Sequence, residues 1–202
     1  MALLDWIGTD SGLTLQGDGV RLRPPRWADY AEWSLLRARS RTFLQPWEPT
    51  WPKDDLSKAA FRRRLSAYQR DMELGTGFAF FVFREIDGAL TGGITLSNVR
   101  RGVAQMGSVG YWSGQPYSRQ GNTLRAAKAL SRFAFRQLAL HRLEAACLPE
   151  NAASRSLLIK AGFEPEGLAK AYLKINGDWR DHLLFGLISR ETAQGPVEEV
   201  SV

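Results

Sequence analysis

The side chains with chemistry to offer are few and widely spaced. They are one thiol, Cys147; two imidazoles, His141 and His182; an amide and a hydroxyl three positions apart, Asn151 and Ser154; and four carboxylates of general-base type, Glu48, Glu144, Glu150 and Glu166. Cys147 falls inside an apolar strand pattern, where a cysteine reads as a small buried hydrophobe before it reads as a nucleophile. Histidines at strand ends are by default satisfied by hydrogen bonds, and neither His141 nor His182 suggests a metal site. Asn151 and Ser154 can each cap a helix start. The run Ser118-Arg119-Gln120-Gly121-Asn122-Thr123 leads into a long helical pattern. Unpaired amides and the helix dipole at such a start favour anions, and Gly121 allows close backbone approach; an ordinary helix start after a turn has the same sequence signature.

Elements must bring these groups together. Leu124, Ala127, Leu130, Ala134 and Leu138 share one face of what reads as the longest helix, opened by Gly121, and a strand Arg142 to Leu148 follows His141. After Asn151 a short helix with Leu157, Leu158 and Ala161 ends at Gly162. A strand then runs from Phe163 to Ile175, turns at Asn176-Gly177, where both residues need positive φ, and returns from Trp179 to Ile188. Upstream, Leu13 to Leu15 and Val20 to Leu22 flank Gly17-Asp18-Gly19 as a hairpin. Helices start near Asp29 and at Asp54, with FLQPWEPTWP between them as a rigid aromatic loop. Strands follow over Gly77 to Ile86, Ala89 to Leu96 and Gln105 to Trp112, their continuous apolar runs indicating burial on both faces of an α/β sheet.

The chain has 202 residues, enough for one domain with its own core, and its single cysteine excludes an internal disulfide. The opening residues carry no basic leader and no apolar run approaches the roughly 18 residues of a membrane span, so the expectation is a soluble cytoplasmic protein without membrane contact. A net charge of +6 favours a polyanionic partner: nucleic acid, the ribosome or a phosphate-bearing cofactor. Arg62-Arg63-Arg64 and Arg100-Arg101 could meet RNA or an acidic protein surface, but a basic triplet usually marks a solvated helix face, and nucleic-acid binding is not assigned.

Four collinear segments carry a resemblance: FLQPWEP at Phe43 to Pro49, SNVRRG at Ser97 to Gly102, the Gly110-Tyr111 pair, and EGLAKAYLKINGDWRDH at Glu166 to His182. With them the chain resembles the GNAT superfamily of acyl-CoA N-acyltransferases, in particular the RimJ-type ribosomal-protein-alanine N-acetyltransferases. The resemblance implies a single domain over residues 1–192, with 193–202 a frayed tail, and a mixed, mostly antiparallel sheet with a splayed central pair of strands and helices on both faces. Acetyl-CoA would lie in that V, its pantetheine arm against the backbone near Tyr111 and Trp112, whose amides could polarise the thioester carbonyl. Its pyrophosphate would meet Ser118, Arg119, Gln120, Gly121, Asn122 and Thr123. No metal is implied.

This chain departs from the family in places. The family's phosphate loop is Q/R-x-x-G-x-G/A; Gly121 is kept, but Ser118 and Thr123 stand at its ends and Arg119 where relatives commonly have glycine. The guanidinium of Arg119 either replaces lost amide contacts or crowds the loop. Many members have a tyrosine acid four residues before the Gly-Phe pair; here that residue is Leu158. Asn151 and Ser154 would then lie near the thioester, with Ser154 donating to the departing thiolate. Cys147 matches a position near the CoA sulfur in related enzymes, but direct transfer needs no covalent intermediate. Glu48 would order the acceptor amine or, through water, take its proton; otherwise it is a solvated loop carboxylate.

The acceptor implied is a protein N-terminus, possibly of a ribosomal protein. An α-amine with a pKa near 8 is about one-tenth neutral at pH 7, whereas a lysine near 10.4 is neutral in about one molecule in several thousand, so an N-terminus needs only a modest base. The competing readings are the same chemistry on an aminoglycoside or polyamine, and a non-catalytic acyl-CoA- or ribosome-binding member of the fold.

Overall fold

The computed structural model describes residues 12–189, so the expected tail at 193–202 and residues 190–192 lie outside the described residues. Eight strands form one sheet: β1 (Leu15–Gln16), β2 (Val20–Arg23), β3 (Phe78–Arg84), β4 (Leu90–Arg100), β5 (Met106–Ser113), β6 (Arg142–Cys147), β7 (Glu164–Ile175) and β8 (Asp178–Ile188). Their order is β1-β2-β3-β4-β5-β6-β8-β7, and only β5 and β6 pair in parallel. Among the described residues five α-helices accompany them: α1 (Tyr30–Arg39), α2 (Arg41–Leu44), α3 (Lys58–Glu73), α4 (Asn122–Arg136) and α5 (Ala152–Ala161).

The fold explains why β3 reads FAFFVFR. Phe78, Phe80 and Val82 face a core shared with Ala126, Ala127, Leu130, Phe133 and Ala134 of α4, while Phe81 and Phe83 face Trp33, Leu36 and Phe61 of α1 and α3. Both faces of the sheet are covered, so every position before the terminal Arg84 is apolar. Phe133 meets Phe78 and Phe80 edge-on at centroid distances of 5.3 and 5.8 Å. Each such ring contributes about 1.5–3 kcal/mol on burial.

Several expectations are corrected. The aromatic segment is only partly a loop: α2 runs into a 3-10 turn at Gln45–Trp47, whose proline sits in the first turn, where a missing N–H is harmless. Ser57, not Asp54, caps α3, its hydroxyl accepting from the Ala60 amide at 3.0 Å. With 16 residues against 15, α3 rather than α4 is the longer helix, and Leu138 lies beyond the end of α4. β4 continues past Leu96, so SNVRRG is a strand end and turn, with Asn98 left-handed at φ 51° inside an irregular pairing. The Asn176-Gly177 turn is as expected, both residues having positive φ.

The sheet opens at its centre. β5 and β6 pair only through Met106–Ser108 and Arg142–Glu144. Beyond that, β5 stays bound to β4 as far as the Gly92 and Ser113 pair, and β6 to β8 as far as the Cys147 and Leu183 pair. Each strand follows a different neighbour, and the two part, leaving the β6-facing edge of Val109 to Ser113 without a strand partner.

Candidate active site

Alternation along the parted strands places Val109 and Tyr111 on the same face as Leu143, Ala145 and Cys147, the face covered by α4 and α5. α5 begins where β6 ends. Asn151 caps it, Oδ1 accepting from the Ser154 amide at 3.0 Å, which leaves the Ser154 hydroxyl free of capping duty. That hydroxyl lies 2.7 Å from the Tyr111 phenol, bridging the gap from α5 to β5. Burial pushes the Tyr111 phenol up from its ordinary value, the hydrogen bond with Ser154 opposing it, so the phenol stays protonated at physiological pH. Burial likewise raises the Cys147 thiol, against the Ser154 hydrogen bond and the charge of Arg155. A protonated thiol 6% exposed is a poor nucleophile, in keeping with the structural reading of Cys147. Leu158 is a core side chain packed with Phe163, so the phenol in this site comes from β5 and not from α5.

At the wide end of the gap the chain makes a 3-10 turn at Gln115–Tyr117 and reaches α4 through Ser118, Arg119, Gln120 and Gly121. Arg119 and Gly121 are both left-handed, at φ 60° and 79°. Such turns line up successive backbone N–H groups into anion-binding concavities, here continuous with the first-turn amides of α4 at Asn122 and Thr123. A Cβ on Gly121 would meet Arg125 no closer than 3.8 Å, so glycine is required there by its φ and not by space within the protein. Arg119 holds its left-handed φ at a steric cost of about 1–2 kcal/mol. The Ser118 amide donates to Gln115, and the Gln120 side chain is held by Arg84 and Pro116. Asn122 is 2% exposed and its Nδ2 has no partner. A buried unpaired donor costs about 1–3 kcal/mol, and the oxygens of a phosphate are acceptors of the kind it lacks. The residues therefore fit the pyrophosphate of acetyl-CoA.

Trp112 points to the opposite face of the sheet, into the cluster beneath α1 and α3. Beside it the guanidinium of Arg37 grips Glu48 with both Nη atoms, at 2.7 and 2.8 Å, and Trp51 Nε1 donates to the same carboxylate at 2.7 Å. Glu48 is thus neither a solvated loop carboxylate nor an unengaged base. The Glu48 carbonyl accepts from the Asn176 amide at 2.9 Å, tying the aromatic segment to the β7–β8 turn. Each of the other carboxylates named from sequence is also paired with an arginine: Glu144 at 3.1 Å and Glu166 at 2.8 Å with Arg142, and Glu150 with Arg180. Arg142 holds the Glu166 carboxyl below its ordinary range. His182 is buried, its Nδ1 3.0 Å from the Arg180 carbonyl, as its default reading required. Of the basic runs, Arg63 and Arg64 pair with Asp54 and Asp55, and Arg101 donates to the Leu138 carbonyl.

The gap therefore brings together Tyr111, Ser154 and Cys147, with Asn151 behind Ser154 as its cap, while Glu48 belongs to a separate group across the sheet. Two contributions were missed in the sequence. The sequence points to the Tyr111 backbone and not to its phenol, although Val109 and Tyr111 share a phase that alternation matches to Ala145 and Cys147. Arg37 was not singled out, although its spacing from Trp33 and Leu36 puts a cation on the apolar stripe of α1.

Known proteins share this architecture. Residues 20–164 match the family model of the acetyltransferase (GNAT) domain. The ribosomal protein uS5-alanine N-acetyltransferase of Escherichia coli is 35% identical over 170 residues, 84% of either chain. The solved ribosomal-protein-S5-alanine acetyltransferase of Vibrio fischeri superposes with a TM-score of 0.82 at 29% identity, over 89% of this chain and 98% of that one. RimJ of Mycobacterium smegmatis, solved in complex with CoA-disulfide, superposes with a TM-score of 0.82 at 32% identity, over 91% of this chain and 89% of that one.

Proposed function

The chain belongs to the GNAT acetyltransferase family, and from that premise we propose that it moves the acetyl group of acetyl-CoA, in the cytoplasm, onto the α-amine at a protein N-terminus, that of a ribosomal protein before others. The observation that carries the reading is the parted β5–β6 pair with Tyr111 and Ser154 bridging it. The names of the Escherichia coli and Vibrio fischeri relatives supply the substrate class.

Acetyl-CoA supplies an activated thioester. The residues of this chain bind and orient it: the left-handed turn and first amides of α4 at the pyrophosphate, and the free edge of β5 along the pantetheine arm. Attack by a neutral amine forms the C–N bond, collapse breaks the C–S bond, and the proton leaving nitrogen ends on sulfur. Ser154 is the donor to the departing thiolate. The Tyr111 phenol, kept protonated by burial, donates to the Ser154 oxygen and so turns the serine proton outward. Holding the thioester beside the amine removes the encounter entropy and so lowers the barrier.

The paired carboxylates favour an α-amine over its competitors. With Glu48, Glu144, Glu150 and Glu166 each engaged by arginine, none of the four is a free base for a lysine or an acidic wall for a polyamine. An α-amine near pKa 8 already supplies about a tenth of its molecules neutral at pH 7. The test is thiol release from acetyl-CoA with peptides beginning in alanine or serine, beside N-blocked copies carrying an internal lysine. Turnover only on the blocked copies or on polyamines, or tight CoA binding with no turnover, refutes the proposal.

A further inference from the structure

Arg37 lies where three separate parts of the fold converge, on the sheet face opposite Tyr111 and Ser154. The end of α1 that carries it is fixed to the turn after β5: the Ser40 hydroxyl accepts from the Gln115 amide at 2.9 Å. Leu36 packs so closely on Gly114 that a Cβ there would come within 2.4 Å of Leu36 Cδ1. From this base the Arg37 guanidinium carbon sits 4.1 Å from the Trp51 ring centroid and 5.0 Å from that of Trp112. Both its Nη atoms donate to Glu48, and the side chain is 9% exposed. Glu48 passes the constraint on, because its carbonyl holds the Asn176 amide, and Gln45 reaches the Asn176 side chain at 3.5 Å. One planar cation thus connects the end of β5, the segment 41–52 and the tip of the β7–β8 hairpin.

We infer that Arg37 is a positioning residue that locks segment 41–52 and the Asn176-Gly177 turn into one rigid bracket beside the acyl-transfer site, and that Glu48 is its clamp partner and not the proton acceptor. This rests on the proposed transfer to a protein N-terminus, whose entering end the bracket holds. Both Glu48 oxygens accept charge-assisted bonds from Arg37, and the indole N–H of Trp51 takes a further lone pair of Oε2. A base needs a lone pair aimed at the amine; this carboxylate commits three of its roughly four lone-pair sites to fixing geometry. Lysine would not replace the arginine, since a point charge cannot make the two parallel bonds to Glu48 that the guanidinium makes beside the two indole rings.

The test compares Arg37→Met with the milder Glu48→Gln, which keeps an acceptor for Trp51. Hydrogen exchange in the wild type and Arg37→Met is followed by mass spectrometry. Losing bonds to a charged group is expected to speed exchange about tenfold or more in segments 45–51 and 173–178 together, with the centre of the sheet unchanged. In steady-state kinetics, Arg37→Met is expected to raise the KM for an alanine-starting peptide about fivefold or more, with kcat and the KM for acetyl-CoA within about twofold of wild type. Glu48→Gln is expected to fall between the two and to keep the wild-type pH dependence of kcat/KM. Unchanged exchange around Asn176 in Arg37→Met overturns the bracket, and a Glu48→Gln enzyme without kcat and without the acid limb of its pH profile makes Glu48 the base. A wild-type enzyme that acetylates no peptide N-terminus refutes the proposed function instead, and the exchange measurement still decides the bracket.

Discussion

Replacing Tyr111 with phenylalanine removes one hydroxyl from the site and leaves the ring that packs against the core. The lost contact is the 2.7 Å hydrogen bond to Ser154, worth about 1 kcal/mol net. On stability that corresponds to a fall in Tm of about 2–4 °C for a chain of this size. If the same bond orients the serine proton toward the leaving thiolate, about 1 kcal/mol withheld from the transition state lowers kcat about fivefold, with the KM for acetyl-CoA little changed. Ser154→Ala removes the donor itself and is expected to cost about 100-fold, the lower end for a general acid. The two act through one bond, so Tyr111→Phe in the Ser154→Ala background should cost almost nothing further in kcat. Thiol release under saturating substrates measures all four corners of this cycle. Effects that multiply, or a Tyr111→Phe enzyme at wild-type kcat, would refute the coupling. Alkaline pH gives an independent check. Burial raises the folded-state phenol above its ordinary value of 10.0, so the native state holds this proton more tightly than the unfolded chain. Below that value both states are protonated and the phenol has no effect on stability with pH. As pH rises past it, the unfolded chain ionises first and stability is lost. Urea denaturation between neutral pH and pH 11 should show a steeper alkaline loss for the wild type than for Tyr111→Phe.

Three further outcomes are expected. Asn151→Ala removes the cap of α5 and should cost about 1 kcal/mol in denaturant unfolding, while kcat falls because the loosened first turn carries Ser154. Gly92→Ala should cost about 1–3 kcal/mol by the same measurement, because its Cβ would come within 2.3 Å of the Trp112 carbonyl oxygen, a backbone atom that can move only by distorting the end of β5. Arg119→Gly should move stability and affinity in opposite directions. Relief of the left-handed arginine raises stability by up to about 1 kcal/mol in denaturant unfolding, partly offset by glycine's unfolded-state freedom, and loss of the guanidinium raises the KM for acetyl-CoA, measured by initial rates.

The sequence carried the local rules well and the long-range ones poorly. Asn176-Gly177 announced its turn because two adjacent residues that tolerate positive φ are a local requirement, and β3 announced its burial because seven consecutive positions, all but the terminal Arg84 apolar, fit only a covered strand. The boundary of α3 slipped from Asp54 to Ser57 because either side chain can cap, and only the placed backbone shows which oxygen meets an amide. The site divides in the same manner. Ser154 and Gly121 could be found from a helix start and a resemblance. That Ser154 meets Tyr111, 43 positions away, depends on how far two strands part, and that Glu48 is gripped by Arg37 depends on where α1 crosses the sheet. Neither is encoded in a spacing. Resemblance points to an acid missing at Leu158, and only the parting of β5 from β6 brings a phenol from another element.

Tyr111 and Trp112 are joined by a single peptide bond, yet one faces the α5 side with Ser154 and the other faces Arg37. Strand alternation turns this junction into a partition between two separately adjustable halves. On one side the parts proposed to handle the thioester demand fixed distances. On the other, the segment 41–52 and the hairpin tip can be rebuilt without entering that space. A lineage starting from this scaffold could therefore exchange its clientele of amines while leaving the acyl chemistry intact, and a protein engineer could retarget it by grafting the two arms as a unit, with residue 37 as the joint that must be carried along.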